Sequence, residues 1–241
     1  MAALTDPGRQ RQVNEDQAVA LELPGGTLLL AVADGVGGMG QGDVASRETV
    51  TSLQRLLAED PAADHVAALA RAAAAINRQV WQMGSAGAGE GTMASTLVAA
   101  LISGGRLSWV NIGDSRLYLL NNGKLEQLTH DHSYVAEQLS AGAITEEEAA
   151  TSKFRHVITR AVGAEETVEP ELGGPLELPS SCTILLCTDG LYRVVEDGQL
   201  AAELAAENAP SICQRLIGLA NEGGGPDNIG VAVLKHESGG S

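Results

Sequence analysis

A chain of 241 residues is long enough to bury one sizeable core. Its 31 acidic and 15 basic residues give a formal charge of −16, which argues against a nucleic-acid partner, because binding to phosphate backbones depends on clustered Lys and Arg. No apolar stretch approaches the length of a membrane span and the N-terminus lacks a secretion signal, so we expect a cytoplasmic protein without membrane insertion.

Apolar runs and turn signals predict strands and helices that alternate in groups along the chain. The predicted strands cover a run from 28 up to Asp34, then 95–102, 107–112, 117–120, 125–128, 182–187 and 229–235. The predicted helices cover 44–57 with Asp43 as cap, 64–83 with Asp64 as cap, 135–139, a short helix opening at Thr145, 197–207 and 211–221. The turn Asn121-Asn122-Gly123 predicts a hairpin.

Helices come in pairs between groups of strands, and short strands joined by tight turns pair in antiparallel fashion. We therefore predict an α+β fold in which two antiparallel sheets pack face to face and helix pairs cover their outer surfaces. We expect one domain over 1–236 and a short polar tail over 237–241. The three cysteines are interpreted as unpaired core residues, with Cys182 and Cys187 on opposite faces of one strand and Cys213 in a helix.

Four aspartates lie at the ends of predicted strands, each with glycine nearby: Asp34, Asp114, Asp189 and Asp227. Any one of them alone is explained by a turn, because Asp bonds its own backbone and glycine accepts positive φ. Together they favour a second interpretation, in which several strand ends meet and their carboxylates share one or two hard divalent cations.

The N-terminal segment adds a possible phosphate-binding group. Arg11 could hold a phosphate through two parallel hydrogen bonds, and Glu15 or Asp16 could contact a cation directly or through its water. A solvated charged turn is the alternative interpretation of this segment.

Five ordered blocks resemble the metal-dependent protein phosphatases of the PP2C (PPM) type, in their bacterial form. The blocks are Arg11-x-x-Asn14-Glu15-Asp16, Asp34-Gly35-x-Gly37-Gly38, Gly113-Asp114-Ser115-Arg116, Thr188-Asp189-Gly190 and Gly224-x-x-Asp227-Asn228. The segments around Asp131-His132-Ser133 and 155–160 are similar to the flap of that family. Five blocks in the right order are far more specific than one Asp-Gly pair.

The resemblance implies an αββα sandwich that hydrolyses phosphoserine and phosphothreonine through water activated by two Mn²⁺ or Mg²⁺ ions. The implied metal ligands are Asp16, Asp34, the Gly35 carbonyl, Asp189 and Asp227, with Asp114 and Asp189 at a third, weaker site and Glu15 and Asn228 in the outer shell. Arg11 would hold the substrate phosphate and Asp34 would bridge the ions. The implied partners are phosphorylated proteins of a cognate kinase, and we expect a monomer.

One departure from the family pattern concerns the proton donor to the leaving group. Many relatives carry a histidine in or just after the Asp34 block, where this chain has Val36 and Met39. His156 or His132 are the candidate replacements, and water on the metal is another. The departure leaves two alternative functions open: a catalytically weak protein that binds phosphoproteins, and a phosphoesterase that acts on small molecules.

Overall fold

The computed structural model describes residues 1–37, 41–59, 64–86, 93–206 and 208–237. Eleven strands and seven helices lie within these ranges. In chain order they are β1 (Ala2–Asp6), β2 (Asp16–Glu22), β3 (Leu28–Val36), α1 (Gly42–Glu59), α2 (His65–Ala86), β4 (Ala94–Ser95), β5 (Leu97–Ser103), β6 (Arg106–Ile112), β7 (Arg116–Asn121), β8 (Lys124–Gln127), α3 (Tyr134–Ser140), α4 (Glu146–Thr151), β9 (Glu171–Glu177), β10 (Ser181–Cys187), α5 (Asp189–Tyr192), α6 (Asp197–Leu204), α7 (Ala209–Glu222) and β11 (Ile229–Glu237).

The strands form two antiparallel sheets. The first sheet has the order β1-β11-β10-β7-β8, and the second has the order β2-β3-β5-β6-β9 with the short β4 paired to β3. The first two strands of the chain therefore belong to different sheets, and β1 pairs with the last strand.

The two sheets share one apolar layer. Leu30 and Val98 of the second sheet belong to the same buried cluster as Ile184 and Leu186 of the first. Because successive strand residues point to opposite faces, the neighbours of these residues face outward into two further layers. Complete burial of one such aliphatic side chain contributes about 1.5–3 kcal/mol.

Helices cover both outer faces. On the second sheet, Leu29 packs in one buried cluster with Leu53 of α1 and Ile76 of α2. On the first sheet, Leu185 packs with Ile212 of α7 and with residues of α5 and α6. The predicted four-layer αββα sandwich is confirmed.

Most predicted elements are present, with some shifted boundaries. The hairpin is confirmed: Asn122 and Gly123 both have positive φ between β7 and β8. Thr145 forms the expected capping box with Glu148, and Asp64 accepts a hydrogen bond from the Ala67 N–H, as a helix cap does. The expected cap Asp43 is wrong, because it lies inside the first turn of α1.

The predicted helix over 197–207 ends at Leu204, and residue 207 lies outside the described residues. Strands β1, β2 and β9 were not predicted from the sequence. Cys182 and Cys187 do face opposite sides of β10, and all three cysteines are buried and free.

No helix among the described residues is both long and apolar enough to span a bilayer. The division into a domain over 1–236 and a tail stays a prediction: β11 continues through Glu237, and 238–241 lie outside the described residues.

Candidate functional site

Strand pairing gathers the predicted aspartates at one edge of the two sheets. In the second sheet, Asp16 at the start of β2 lies opposite Asp34 near the end of β3. In the first sheet, the end of β10 at Cys187 lies between Val231 of β11 and Arg116 of β7. The residues just beyond these strand ends, Asp189, Asp227 and Asp114, therefore converge on the same edge.

Asp16 is the most deeply buried carboxylate of the group, with only 1% of its surface exposed. Its Oδ2 accepts a hydrogen bond of 2.7 Å from the Thr188 hydroxyl, which in turn accepts one of 2.8 Å from the Gly230 N–H. Its Oδ1 has no hydrogen-bond partner. Burial, together with the nearby charge of Asp227, raises the pKa of Asp16 to about 7.

Hydrogen bonds to the backbone of Asp34 hold this residue in place. Its N–H donates to the Thr96 hydroxyl at 2.9 Å, and its carbonyl accepts from the Thr96 N–H at 2.8 Å and from the Ser95 hydroxyl at 3.0 Å. The half-buried carboxyl group is left free of these contacts. Burial and then the charges of Asp16 and Asp189 raise the pKa of Asp34 well above its ordinary value.

Gly35 lies where two backbone segments touch. A Cβ on Gly35 would collide with the carbonyl of Gly42, the first residue of α1, so no larger residue fits without backbone movement. The Gly35 N–H donates to the Glu15 carbonyl at 3.1 Å. The Glu15 carboxylate lies against Gly42, and burial followed by the charge of Asp43 raises the pKa of Glu15.

Asp189 and Asp114 are joined by a basic side chain that sequence analysis did not single out. The guanidinium of Arg193 forms ion pairs with Asp189 Oδ2 at 3.1 Å and with Asp114 Oδ2 at 2.9 Å. The Oδ1 of Asp189 has no partner. Burial raises the pKa of both carboxyl groups, that of Asp189 strongly, because Asp114 and Asp227 add negative charge to it.

Arg11 lies at the rim of the aspartate group. Its guanidinium contacts Asp227 Oδ2 at 2.9 Å, and both side chains are well exposed. Asn228 fixes the loop that carries Arg11: its Oδ1 accepts from the Glu15 N–H, and its Nδ2 donates to the carbonyls of Pro7 and Val13. Asn228 therefore positions this loop, while its place in an outer metal shell stays a prediction.

The two candidate histidines lie in different surroundings. His132 is 6% exposed, its Nδ1 accepts from the Gly113 N–H at 3.1 Å, and burial and then Arg160 lower its pKa. His156 is exposed and lines a cavity of about 700 Å³. His132 thus has a structural role, because it is buried and bound to the backbone, whereas His156 is accessible to a ligand. Val36 is exposed, and Met39 lies outside the described residues.

That cavity joins the aspartates to the flap. Asp189 and Asp227 lie along it, together with Val135 of α3 and Ala149 of α4. A ligand in the cavity would therefore contact the aspartate edge and the segment that resembles a flap.

The donor set suits hard divalent cations. All the carboxylates are oxygen ligands, and two of their oxygens, Asp16 Oδ1 and Asp189 Oδ1, are buried without a hydrogen-bond partner. Within the described part of the chain, no group of three or more His, Cys, Asp and Glu side chains is placed, as it stands, to hold a metal ion. The unpaired oxygens and raised pKa values are what a cation would relieve, so the residues fit such an ion.

Sequence analysis missed the residues that hold the carboxylates in place. Thr188 belongs to one of the motif blocks and Thr96 lies in a predicted strand, but the sequence does not indicate the contacts of their hydroxyl groups with Asp16 and Asp34. Arg193 could have been found by its spacing, because it lies four residues after Asp189 on a helical turn.

Comparisons with known proteins agree with this arrangement. The family model described as Protein phosphatase 2C matches residues 8–215. The serine/threonine protein phosphatase PstP of Mycobacterium tuberculosis is 40% identical over 232 residues, covering 96% of this chain and 44% of PstP. The chain thus spans less than half the length of that relative. The serine/threonine phosphatase stp of Listeria welshimeri is 35% identical over 236 residues, covering 96% of this chain and 93% of stp.

Solved structures are similar over nearly the whole chain. The serine/threonine phosphatase of S. agalactiae has a TM-score of 0.91 at 33% identity, covering 98% of both chains. The catalytic domain of PstP in complex with two manganese ions has a TM-score of 0.84 at 39% identity, covering 98% of this chain and 96% of that one.

Proposed function

Since the chain belongs to the protein phosphatase 2C family, we propose that it is a metal-dependent protein phosphatase that hydrolyses phosphoserine and phosphothreonine. The proposed cofactors are two Mn²⁺ or Mg²⁺ ions, and the proposed substrates are phosphorylated proteins. The manganese ions of the PstP catalytic domain support the choice of metal.

One observation carries the proposal: buried carboxylates with unpaired oxygens lie beside an exposed guanidinium. Asp16 and Asp189 each keep one buried oxygen without a partner, close to Asp34. Arg11 stands at the rim of the same group through its contact with Asp227. The proposed metal-binding carboxylates and the proposed phosphate-binding group are thus adjacent, which supports the proposal.

We assign the metal-binding role to Asp16, Asp34, Asp189 and Asp227, with the Gly35 carbonyl beside them. Two divalent ions at this edge would lower the pKa of a water nucleophile and offset charge on the phosphoryl oxygens. The residues of the chain supply fixed positions for this chemistry. Thr188 holds Asp16, and the Thr96 backbone and hydroxyl hold Asp34.

Arg11 would bind and orient the phosphate. A guanidinium has five N–H donors, and the contact with Asp227 engages only one of its nitrogens. The remaining donors suit two parallel hydrogen bonds to a phosphate. Asn228 accepts a hydrogen bond from the Glu15 N–H and donates one to the Pro7 carbonyl, and these two bonds hold the loop that carries Arg11 near the aspartates.

His156 is our candidate for donating a proton to the leaving alkoxide. It is exposed and lines the cavity that also contains Asp189 and Asp227. His132 is unsuited to this role, because its Nδ1 already accepts a backbone hydrogen bond and its ring is buried. His156 is thus our proposed substitute for the histidine that many relatives carry where this chain has Val36 and Met39.

The test is phosphate release from a phosphothreonine peptide by the metal-stripped protein. We expect release with added Mn²⁺ or Mg²⁺ and none with chelator, and we expect Asp34→Asn to be inactive under all conditions. Metal binding measured by calorimetry without any release would favour a phosphoprotein-binding role instead. Release from p-nitrophenyl phosphate but not from phosphopeptides would favour a small-molecule phosphoesterase.

A further inference from the structure

The position between Asp114 and Asp189 is held by Arg193. Its terminal nitrogen contacts Asp114 Oδ2 at 2.9 Å and its Nε contacts Asp189 Oδ2 at 3.1 Å. Only 23% of the Arg193 side chain is exposed, against 5% for Asp114 and 15% for Asp189. One guanidinium therefore joins two largely buried carboxylates, where screening by solvent is weak.

The surroundings keep this guanidinium in place. Arg193 follows α5 directly, and the preceding Tyr192 donates its hydroxyl to the Asp114 carbonyl at 3.0 Å. The guanidinium of Arg116 stacks 3.6 Å above the Tyr192 ring, and Arg116 is itself bound by both carboxylate oxygens of Asp131. The ion pairs of Arg193 thus belong to a network and are not a loose surface contact.

A third ion shared by these two carboxylates does not fit this arrangement. Each of them directs its Oδ2 at Arg193, so an ion between the two would have to displace a positive charge that is already bound. The two carboxylates that the family resemblance assigns to a third ion thus already share one positive charge, that of Arg193.

The same contact leaves Asp189 oriented for a different task. Its Oδ2 is bound by Arg193, while its Oδ1 is buried without a hydrogen-bond partner. A carboxylate bound at one oxygen by an arginine can present the other oxygen to a metal in a fixed direction.

We propose that Arg193 is a resident cation that replaces a third metal ion between Asp114 and Asp189 and positions Asp189 for the two-ion centre. The positioning role rests on the proposed function. The replacement of the ion by the guanidinium does not depend on catalysis.

The test counts bound Mn²⁺ by equilibrium dialysis, from micromolar to millimolar free ion. Arg193→Met removes the charge but keeps a side chain of similar length, and Arg193→Lys keeps the charge. Arg215→Met is the matched control, because Arg215 forms a 2.8 Å ion pair with Glu203 of α6. We expect Arg193→Met to bind one more ion than the unaltered protein, and Arg193→Lys and Arg215→Met to bind the same number. An unchanged count in Arg193→Met would overturn the proposal.

The difference between variants and the absolute count answer separate questions. A count other than two for the unaltered protein contradicts the proposed two-ion function, while the gain of one ion in Arg193→Met still decides the role of Arg193. If Arg193→Met does not fold, the count for Arg193→Gln decides in its place.

The positioning role has its own measurement. Loss of the contact with Asp189 should weaken binding of the first two ions by about tenfold, as for other residues that hold a metal ligand. Arg193→Lys should recover part of this affinity and Arg215→Met should show no loss. Unaltered affinity in Arg193→Met would show that Asp189 is positioned without Arg193.

Discussion

Asp16 gives a quantitative link between the charge of the site and the stability of the metal-free protein. Its pKa rises from an ordinary 3.8 to about 7, chiefly through burial. A carboxyl group with a higher pKa in the folded state binds more protons when folded, so its contribution to stability falls as pH rises between the two values. At about 1.4 kcal/mol per pKa unit, the ionised group destabilises the fold by up to about 4 kcal/mol above pH 7.

Asp16→Asn removes that cost. Asparagine has the same shape, and its carbonyl oxygen can accept the hydrogen bond from Thr188. Burial of the new amide donors offsets part of the gain, so we expect the metal-free variant to be about 2–3 kcal/mol more stable at about pH 8. For a domain of this size, the melting temperature should rise by about 5–10 °C. The gain should vanish at about pH 4, where the aspartic acid is protonated in the folded protein.

The assay is thermal unfolding in the presence of chelator, monitored by circular dichroism, at several pH values from about 4 to about 8. Asp197→Asn is the control, because it makes the same substitution at an exposed carboxylate in the first turn of α6. Added Mn²⁺ should raise the melting temperature of the unaltered protein far more than that of Asp16→Asn. A variant that is less stable than the unaltered protein at pH 8, or a gain that does not depend on pH, would refute the reasoning.

Three further substitutions probe the site. Asp34→Asn should remain folded and lose about 10³-fold or more in kcat, because it removes a central charge of the proposed metal site. Retained turnover in a phosphopeptide assay would exclude the two-metal assignment. Arg11→Ala should raise KM about tenfold with little change in kcat, since a charge-assisted hydrogen bond contributes about 1.5–3 kcal/mol; an equal rise in Arg9→Ala, measured by steady-state kinetics, would return Arg11 to the solvated-turn interpretation. Gly35→Ala should lower the melting temperature by about 5–10 °C, because its Cβ would collide with the backbone at the start of α1. Gly198→Ala, which meets nothing within 4 Å, should not lower it, and equal melting temperatures for the two variants would contradict the packing argument.

The strands that sequence analysis missed share a position in the fold. β1 is an edge of the first sheet, and β2 and β9 are the edges of the second. Edge strands are buried less completely than central ones, so their sequences lack continuous apolar runs. β9 also contains the pair Gly173-Gly174 followed by Pro175, a pattern that predicts a turn and not a strand. The remaining edge strand, β8, was found through the Asn122-Gly123 turn and not through its own pattern.

For the candidate site, too, the sequence predicts some features and not others. Aspartates at strand ends can be predicted, because glycine and the end of an apolar run mark them locally. The contacts that hold them cannot, because they join distant segments: Arg193 meets Asp114 across 79 positions, and Thr188 meets Asp16 across 172. Such pairs become neighbours only through sheet order, which a single sequence does not specify.

The pairing of β1 with β11 has a consequence for synthesis of the chain. The contact of Arg11 with Asp227 spans 216 positions, and the hydrogen bond from Asn228 to the Pro7 carbonyl spans 221. A ribosome makes the chain from the N-terminus, so the segment that carries Arg11 has no partner until Asp227 and Asn228 have been made. The second sheet with α1 and α2 can assemble earlier, but the corner that joins Arg11 to Asp227 forms later. A nascent chain, or one truncated before Asp227, would therefore lack the contacts that join Arg11 and Pro7 to Asp227 and Asn228.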